Sequence, residues 1–303
     1  MVTKRIVVIV NKWWECDPVT AALLHDKARP ATIKDVRAVR YPTQRLPKWK
    51  QGDPVPPDPE PLPRILFTVG ASTVELWCLE ELMNRSANSS SSSEKARVLP
   101  GAMKYSGQAP DLVIAMGTAG MVAKEPMNGS VVVGSSVFIH DAFPEKNDPA
   151  LWRPPMPDTL IPSNEGALLV SKLRDFERST AECRFLPPPI APANPMRLVF
   201  GNGYISVGIV NVTNYDDYIW ADDAAIRAFH DEEVHGHIGS VETTHGIIRE
   251  ASSAPFIFLS GITDAEGAFD YQVTPRVYAQ NTASAHNAGV ALAWLLPALE
   301  AAL

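Results

Sequence analysis

Three segments of the 303-residue chain bring residues capable of chemistry to points where an apolar run breaks into a turn. The first is Pro110-Asp111-Leu112-Val113-Ile114-Ala115-Met116-Gly117-Thr118-Ala119-Gly120, a strand pattern running into a glycine-bracketed turn. Ligands in open α/β sheets sit outside the carboxyl ends of strands, where glycine lets backbone amides approach them. A strand-to-helix turn also uses glycine for geometry alone. The second is Phe256-Ile257-Phe258-Leu259-Ser260-Gly261-Ile262, which ends in Thr263-Asp264-Ala265-Glu266-Gly267. A carboxylate closing a buried apolar strand is costly unless it is hydrogen-bonded or functional, and a capping aspartate is the structural alternative. The third, Gly239-Ser240-Val241-Glu242-Thr243-Thr244-His245-Gly246, sets Glu242 and His245 where a strand gives way to a helix. Glu242 is suited to accept hydrogen bonds from sugar hydroxyls, whereas His245 reads as a packed or capping histidine.

The elements that must position these residues follow from apolar patterning. Strands are expected at residues 6–10, 64–69, 112–116, 131–139, 196–200, 205–212 and 256–262, and helices at 19–25, 73–85, 222–232, 244–251 and 275–302. The runs at 6–10, 112–116 and 256–262 carry little polar alternation, as a sheet covered on both faces requires. Strand alternating with helix predicts an α/β fold, a three-layer α/β/α sandwich with a mixed central sheet, built as one domain over residues 1–303. Residues 42–63, 143–162 and 185–195 are proline-rich and 86–95 is serine-rich, so all four are expected as surface loops.

Composition narrows the class. A net charge of −7 argues against a nucleic-acid or anionic-membrane partner. No run approaches the roughly 20 apolar residues of a membrane span, and the apolar stretch after Lys4 and Arg5 is too short for a signal core. Cys16, Cys78 and Cys183 are odd in number and far apart, which fits a reducing compartment and a cytoplasmic setting. The run from His230 to His237 lacks helical metal-ligand spacing and reads as a solvated face, so no metal site is expected. Trp13, Trp14, Trp77 and Trp152 read as core or loop anchors.

Taken together, the segments resemble the nucleoside phosphorylase and nucleosidase superfamily, which includes purine nucleoside phosphorylases and methylthioadenosine/S-adenosylhomocysteine nucleosidases. The family's glycine turn after a Pro-Asp-led strand matches Asp111 to Gly120. Its next strand, closing in His-Asp, matches Val131 through His140-Asp141. Its Val-Glu-Met-Glu ribose segment resembles Val241-Glu242-Thr243-Thr244, and its Ser-Asp strand end resembles Thr263-Asp264. The last helix, with Tyr278-Ala279, Asn281-Thr282-Ala283 and Asn287-Ala288, also follows the family pattern.

The resemblance implies cleavage of an N-glycosidic bond in a purine nucleoside or 5′-modified nucleoside, without a cofactor, by a homo-oligomer. Asp264 matches the acid that protonates purine N7, a role that desolvation favours by raising a carboxyl pKa. Asn211, Val212 and Asn214 fall on the stretch that holds the base, Phe138 and His140 on the 5′ side of the sugar, and Gly117, Thr118 and Ala119 on the glycine turn. Glu242, Thr243 and Thr244 fall on the ribose segment. There the family's second glutamate is replaced by Thr244, whose neutral hydroxyl makes hydrogen bonds about half as strong as a carboxylate's. Hydrolytic members carry an acid after the first strand that activates water, and Glu15 and Asp17 both stand there. Phosphorolytic members hold phosphate instead, for which Ser72 and Thr73 after Gly70, at the amino end of an expected helix, and Lys12 after the first strand are the available residues. The expectation is a hydrolase. A phosphate-dependent phosphorylase and a non-catalytic nucleoside-binding or storage protein are the alternatives.

Overall fold

The structure is a computed structural model that describes residues 3–25, 32–38, 63–83, 92–123, 125–141, 159–173, 176, 184–200, 204–210, 237–265 and 278–303. Within them the chain forms strands β1 (Arg5–Val10), β2 (Ile33–Ala38), β3 (Ile65–Val69), β4 (Ser72–Cys78), β5 (Leu112–Met121), β6 (Val131–Gly134), β7 (Ser136–Asp141), β8 (Thr159–Ile161), β9 (Leu198–Phe200), β10 (Ile205–Val210), β11 (Ile238–Glu242) and β12 (Phe256–Ala265). The helices are α1 (Trp13–His25), α2 (Leu79–Leu82), α3 (Ser92–Lys104), α4 (Asn164–Lys172), α5 (His245–Glu250) and α6 (Tyr278–Ala302).

All twelve strands join one mixed sheet, ordered β2-β3-β4-β1-β5-β11-β10-β7-β8, with β12, β6 and β9 leading off the other edge of β5. Side chains of β1 alternate between its two faces, as the two-residue period of a strand demands. Ile6, Val8 and Val10 join a core with Val19 and Leu23 of α1 and Leu292, Leu295 and Leu299 of α6. Val7 and Ile9 join a second core with Leu99 of α3 and Ile247 and Ile248 of α5. Helices therefore cover both faces, and the three layers follow.

Two parallel groups of strands run toward each other. Strands β4, β1, β5 and β12 are parallel, as are β11, β10 and β7, and the groups meet where Val241 pairs antiparallel with Gly120. Strand β1 stops beside Met116, so the second half of β5 is left to β11 on that edge. Carboxyl ends of strands from both groups converge on residues 117–121, the kind of crossing at which α/β sheets bind ligands.

Three expectations fail here. The helix expected over 73–85 is instead strand β4, hairpinned to β3 through Gly70 (φ 57°), and then the single turn α2. Residues 92–95, expected in a surface loop, begin α3, and Lys95 is completely buried. The edge strand β8 also falls within a stretch expected to be loop. The helix expected at 222–232 lies outside the described residues.

Candidate active site

Immediately after β1 the chain turns into α1, which carries Glu15 back over the end of the strand. The Glu15 carboxylate is buried. Its Oε1 accepts from the Thr118 backbone N–H and from Thr118 Oγ1, both at 2.7 Å, and Oε2 accepts from the Lys12 N–H at 3.0 Å. Gly117 permits the approach, because a Cβ there would stand 2.9 Å from Glu15 Oε1. Burial pushes the Glu15 pKa up, while the Thr118 and Lys12 contacts favour the ionised form and pull it back. A carboxylate so held is a poised proton acceptor.

Asp17 occupies different ground. It pairs with Arg64, its side chain is 43% exposed, and Arg64 also meets Glu81 Oε1 at 3.1 Å. Of the two acids after β1, only Glu15 is bonded to the β5 turn.

Asp264 lies on the opposite edge of β5. It pairs with Gly120 after an irregularity that skips Thr263, and it is buried. Thr263 Oγ1 lies 2.5 Å from Asp264 Oδ1 and 3.2 Å from the Ala119 carbonyl. Helix α6 fixes the irregularity from behind. Gln280 Nε2 donates to the Thr263 carbonyl at 2.6 Å, and Ser284 Oγ donates to that of Ile262 at 2.8 Å. Gly261 lets the helix close in, since a Cβ there would stand 2.1 Å from the Ser284 carbonyl oxygen.

Glu242 ends β11 beside this turn but faces inward. One carboxylate oxygen accepts from the backbone N–H groups of Thr244 and His245, the latter at 2.8 Å, and so caps α5. The other accepts from Ser206 Oγ at 3.3 Å. Burial raises the Glu242 pKa to about 7 against these bonds. The same hydroxyl of Ser206 lies 2.8 Å from His245 Nδ1, and His245, stacked on Phe258, has its pKa lowered to about 3 by burial. His245 is thus a neutral packed histidine. A chain of buried hydroxyls continues from Ser206 through Ser240 at 3.2 Å to Ser260 at 2.8 Å.

The residue that sequence reasoning missed is Lys95. Its Nζ lies 3.2 Å from each of three acceptors: the Thr243 carbonyl, Thr243 Oγ1 and Thr244 Oγ1. Burial lowers its pKa to about 7, Lys12 adds to that, and Glu242, Glu15 and Glu80 oppose it. A serine-rich flank hid it, and the one available signal was the apolar spacing of Val98, Leu99 and Ala102 that continues from it.

Gly117, Thr118 and Ala119, Glu15, Asp264 and Glu242 to Thr244 are therefore gathered around the second half of β5. Phe138 and His140 stand two strands beyond β11, on β7, with their rings stacked at 6.3 Å. Ser72 and Thr73 do not join the site. Thr73 pairs with Arg5 at the amino end of β1, and Ser72 Oγ lies 3.5 Å from Glu300 Oε1, so both occupy the opposite end of the sheet with no helix beginning there. Asn211, Val212 and Asn214 lie outside the described residues. Within the described residues no group of three or more His, Cys, Asp or Glu is arranged to hold a metal ion.

The architecture is that of the nucleoside phosphorylase/nucleosidase fold. A 5′-methylthioadenosine/S-adenosylhomocysteine nucleosidase from Neisseria meningitidis, solved with methylthio-immucillin-A, superposes with a TM-score of 0.53 at 15% identity, over 97% of this chain and 99% of that one. A 5′-methylthioadenosine nucleosidase from Arabidopsis thaliana gives 0.54 at 14% identity, over 99% and 97%. The futalosine hydrolase of Helicobacter pylori gives 0.54 at 10% identity, over 99% of each chain. No family model matches the sequence, and no curated protein matches it.

Proposed function

We propose that this protein is a purine-type nucleosidase that hydrolyses the N-glycosidic bond of a nucleoside or 5′-modified nucleoside. The observation that carries the reading is the buried Glu15 carboxylate, held by three donors at the crossing of the sheet, with Asp264 across the same strand. Glu15 takes a proton from the attacking water. Asp264 gives a proton to the departing base, which leaves neutral rather than as an anion. Glu15 fills the role for which Asp17 was the other candidate, because Asp17 is tied to Arg64. The hydrolytic activities named for the structures that share the fold support the same reaction class. Phosphorolysis through Ser72 and Thr73 lacks support, since those residues sit at the far end of the sheet. One sheet holding all twelve strands supports a single catalytic domain. Cys16 and Cys78, both buried as free thiols, support work in a reducing compartment such as the cytoplasm.

The test is release of free base from a panel of purine nucleosides and 5′-thio analogues, with and without phosphate. Release without phosphate, reduced about 10²–10⁴-fold in Asp264→Asn, is the expected result. Release that requires phosphate, or none from any member of the panel, overturns the hydrolase.

A further inference from the structure

Among the buried ionisable groups that the proposed reaction does not use, Lys95 stands out by its partners. Lys95 is completely buried, yet its ammonium hydrogen-bonds no carboxylate: its three acceptors are one carbonyl and two hydroxyls, all within the Thr243–Thr244 turn. An ammonium has only protons to offer. Each threonine oxygen that accepts one of them must turn its own proton elsewhere. Below about pH 7, where Lys95 is protonated, the turn thereby becomes a pair of hydroxyl donors backed by a positive charge. Thr243 is its partly exposed member, and Thr244 lies beneath it. The neighbouring acid does not reverse this polarity, because Glu242 directs its oxygens at the amides of Thr244 and His245 and at Ser206. Along this edge the described side chains of the turn and of Lys95 present donors, and the carboxylate of Glu242 is engaged behind them.

We propose that Lys95, Thr243 and Thr244 form an oxyanion subsite at the end of β11, which receives a phosphate group on the sugar side of the substrate. The proposal rests on the nucleosidase reading for the placement of the sugar. A phosphate oxygen accepts and does not donate, so it suits two hydroxyl donors with a cation behind them. An unmodified vicinal diol gains less, because its best partner is an acceptor such as a carboxylate, and charge-assisted bonds are roughly twice as strong as neutral ones. The phosphate has two chemical sources: an ester on the sugar, or free inorganic phosphate bound beside an unmodified nucleoside.

Calorimetric binding to Asp264→Asn protein separates these, using adenosine, adenosine 3′-monophosphate, adenosine 2′-monophosphate and inorganic phosphate. Either sugar phosphate is expected to bind about tenfold or more tightly than adenosine, as one charge-assisted contact allows. Lys95→Met should remove that preference while adenosine binding persists. Thr244→Glu, which puts an acceptor where a donor stood, should reverse it in favour of adenosine. If inorganic phosphate alone binds, and binding is lost in Lys95→Met, the subsite stands and the source is free phosphate. Adenosine bound more tightly than both sugar phosphates, with no binding of inorganic phosphate, overturns the subsite, as does a preference that survives in Lys95→Met. Binding with the expected order but no base release by wild-type protein from any of these nucleosides leaves the subsite standing and removes the enzymatic reading instead.

Discussion

Glu15 and Asp17 are two residues apart, yet the fold gives them different surroundings, and the difference can be measured. Glu15→Gln keeps the size of the side chain and loses the charge. Turnover is expected to fall at least about 10²-fold, in line with loss of a positioned base, with little change in substrate binding. Asp17→Asn should leave turnover within about twofold but cost more than the roughly 1 kcal/mol of an exposed ion pair, because the Arg64 guanidinium it faces is buried. Steady-state kinetics with a urea titration on the same samples reads both. Because burial raises the Glu15 pKa and only its ionised form accepts a proton, the rate should drop on acidification at a pH above the ordinary glutamate range. Lys95 and Glu242 make a second statement about pH, this time in stability. Between 4.5 and about 7 the folded protein holds a proton on Glu242 that the unfolded chain releases, so stability falls as pH rises. Between about 7 and 10.5 the unfolded chain binds a proton on Lys95 that the folded protein lacks, so stability rises. The pair's contribution is smallest near neutrality. Urea midpoints across this range should lose the upper slope in Lys95→Met and the lower slope in Glu242→Gln.

At the scale of elements, the β5 turn is where a small change reaches Glu15. An alanine at 117 would set its Cβ 2.9 Å from Glu15 Oε1. Gly117→Ala should lower turnover about tenfold or more by displacing the carboxylate, since displacements of about 1 Å cost up to about 10²-fold. The circular dichroism spectrum should not change. Much of this element was legible beforehand, because continuous apolar runs announce strands buried on both faces, as β1, β5 and β12 are. Strand β4 was not. Glu75 interrupts its apolar residues and gives them a helical spacing. In the fold Glu75 is buried and neutralised by Arg5, whose Nε and Nη2 donate at 3.0 and 2.7 Å, a partner that lies 70 residues away. Local pattern carries no information about such a contact. Glu242 shows the same limit at the site: its place at a strand end was readable, but its inward turn depends on amides freed by the start of α5 and on Ser206 from another strand. Lys95 was hidden for a related reason, since its acceptors lie almost 150 residues further on.

Across the whole molecule, Asp264, Glu15 and the Thr243–Thr244 turn share one support. Strand β5 pairs with β1 and then β11 along one edge and with β12 along the other, so neither edge is open to solvent over most of its length. Backbone amides bonded on both sides of a central strand exchange with deuterium only when the sheet itself comes apart. The Thr118 amide, which bonds to the Glu15 carboxylate rather than to a strand, serves as the reporter that separates local opening from global. Hydrogen–deuterium exchange should find the β5 amides at 113–116 among the slowest in the protein, with Thr118 close behind. Faster exchange at Thr118 by several orders of magnitude would show that the Glu15 contact breathes on its own. If Thr118 keeps pace, heat has no gentle way to disarm this protein: catalytic inactivation and melting become one event, and activity should survive up to the temperature at which the sheet is lost.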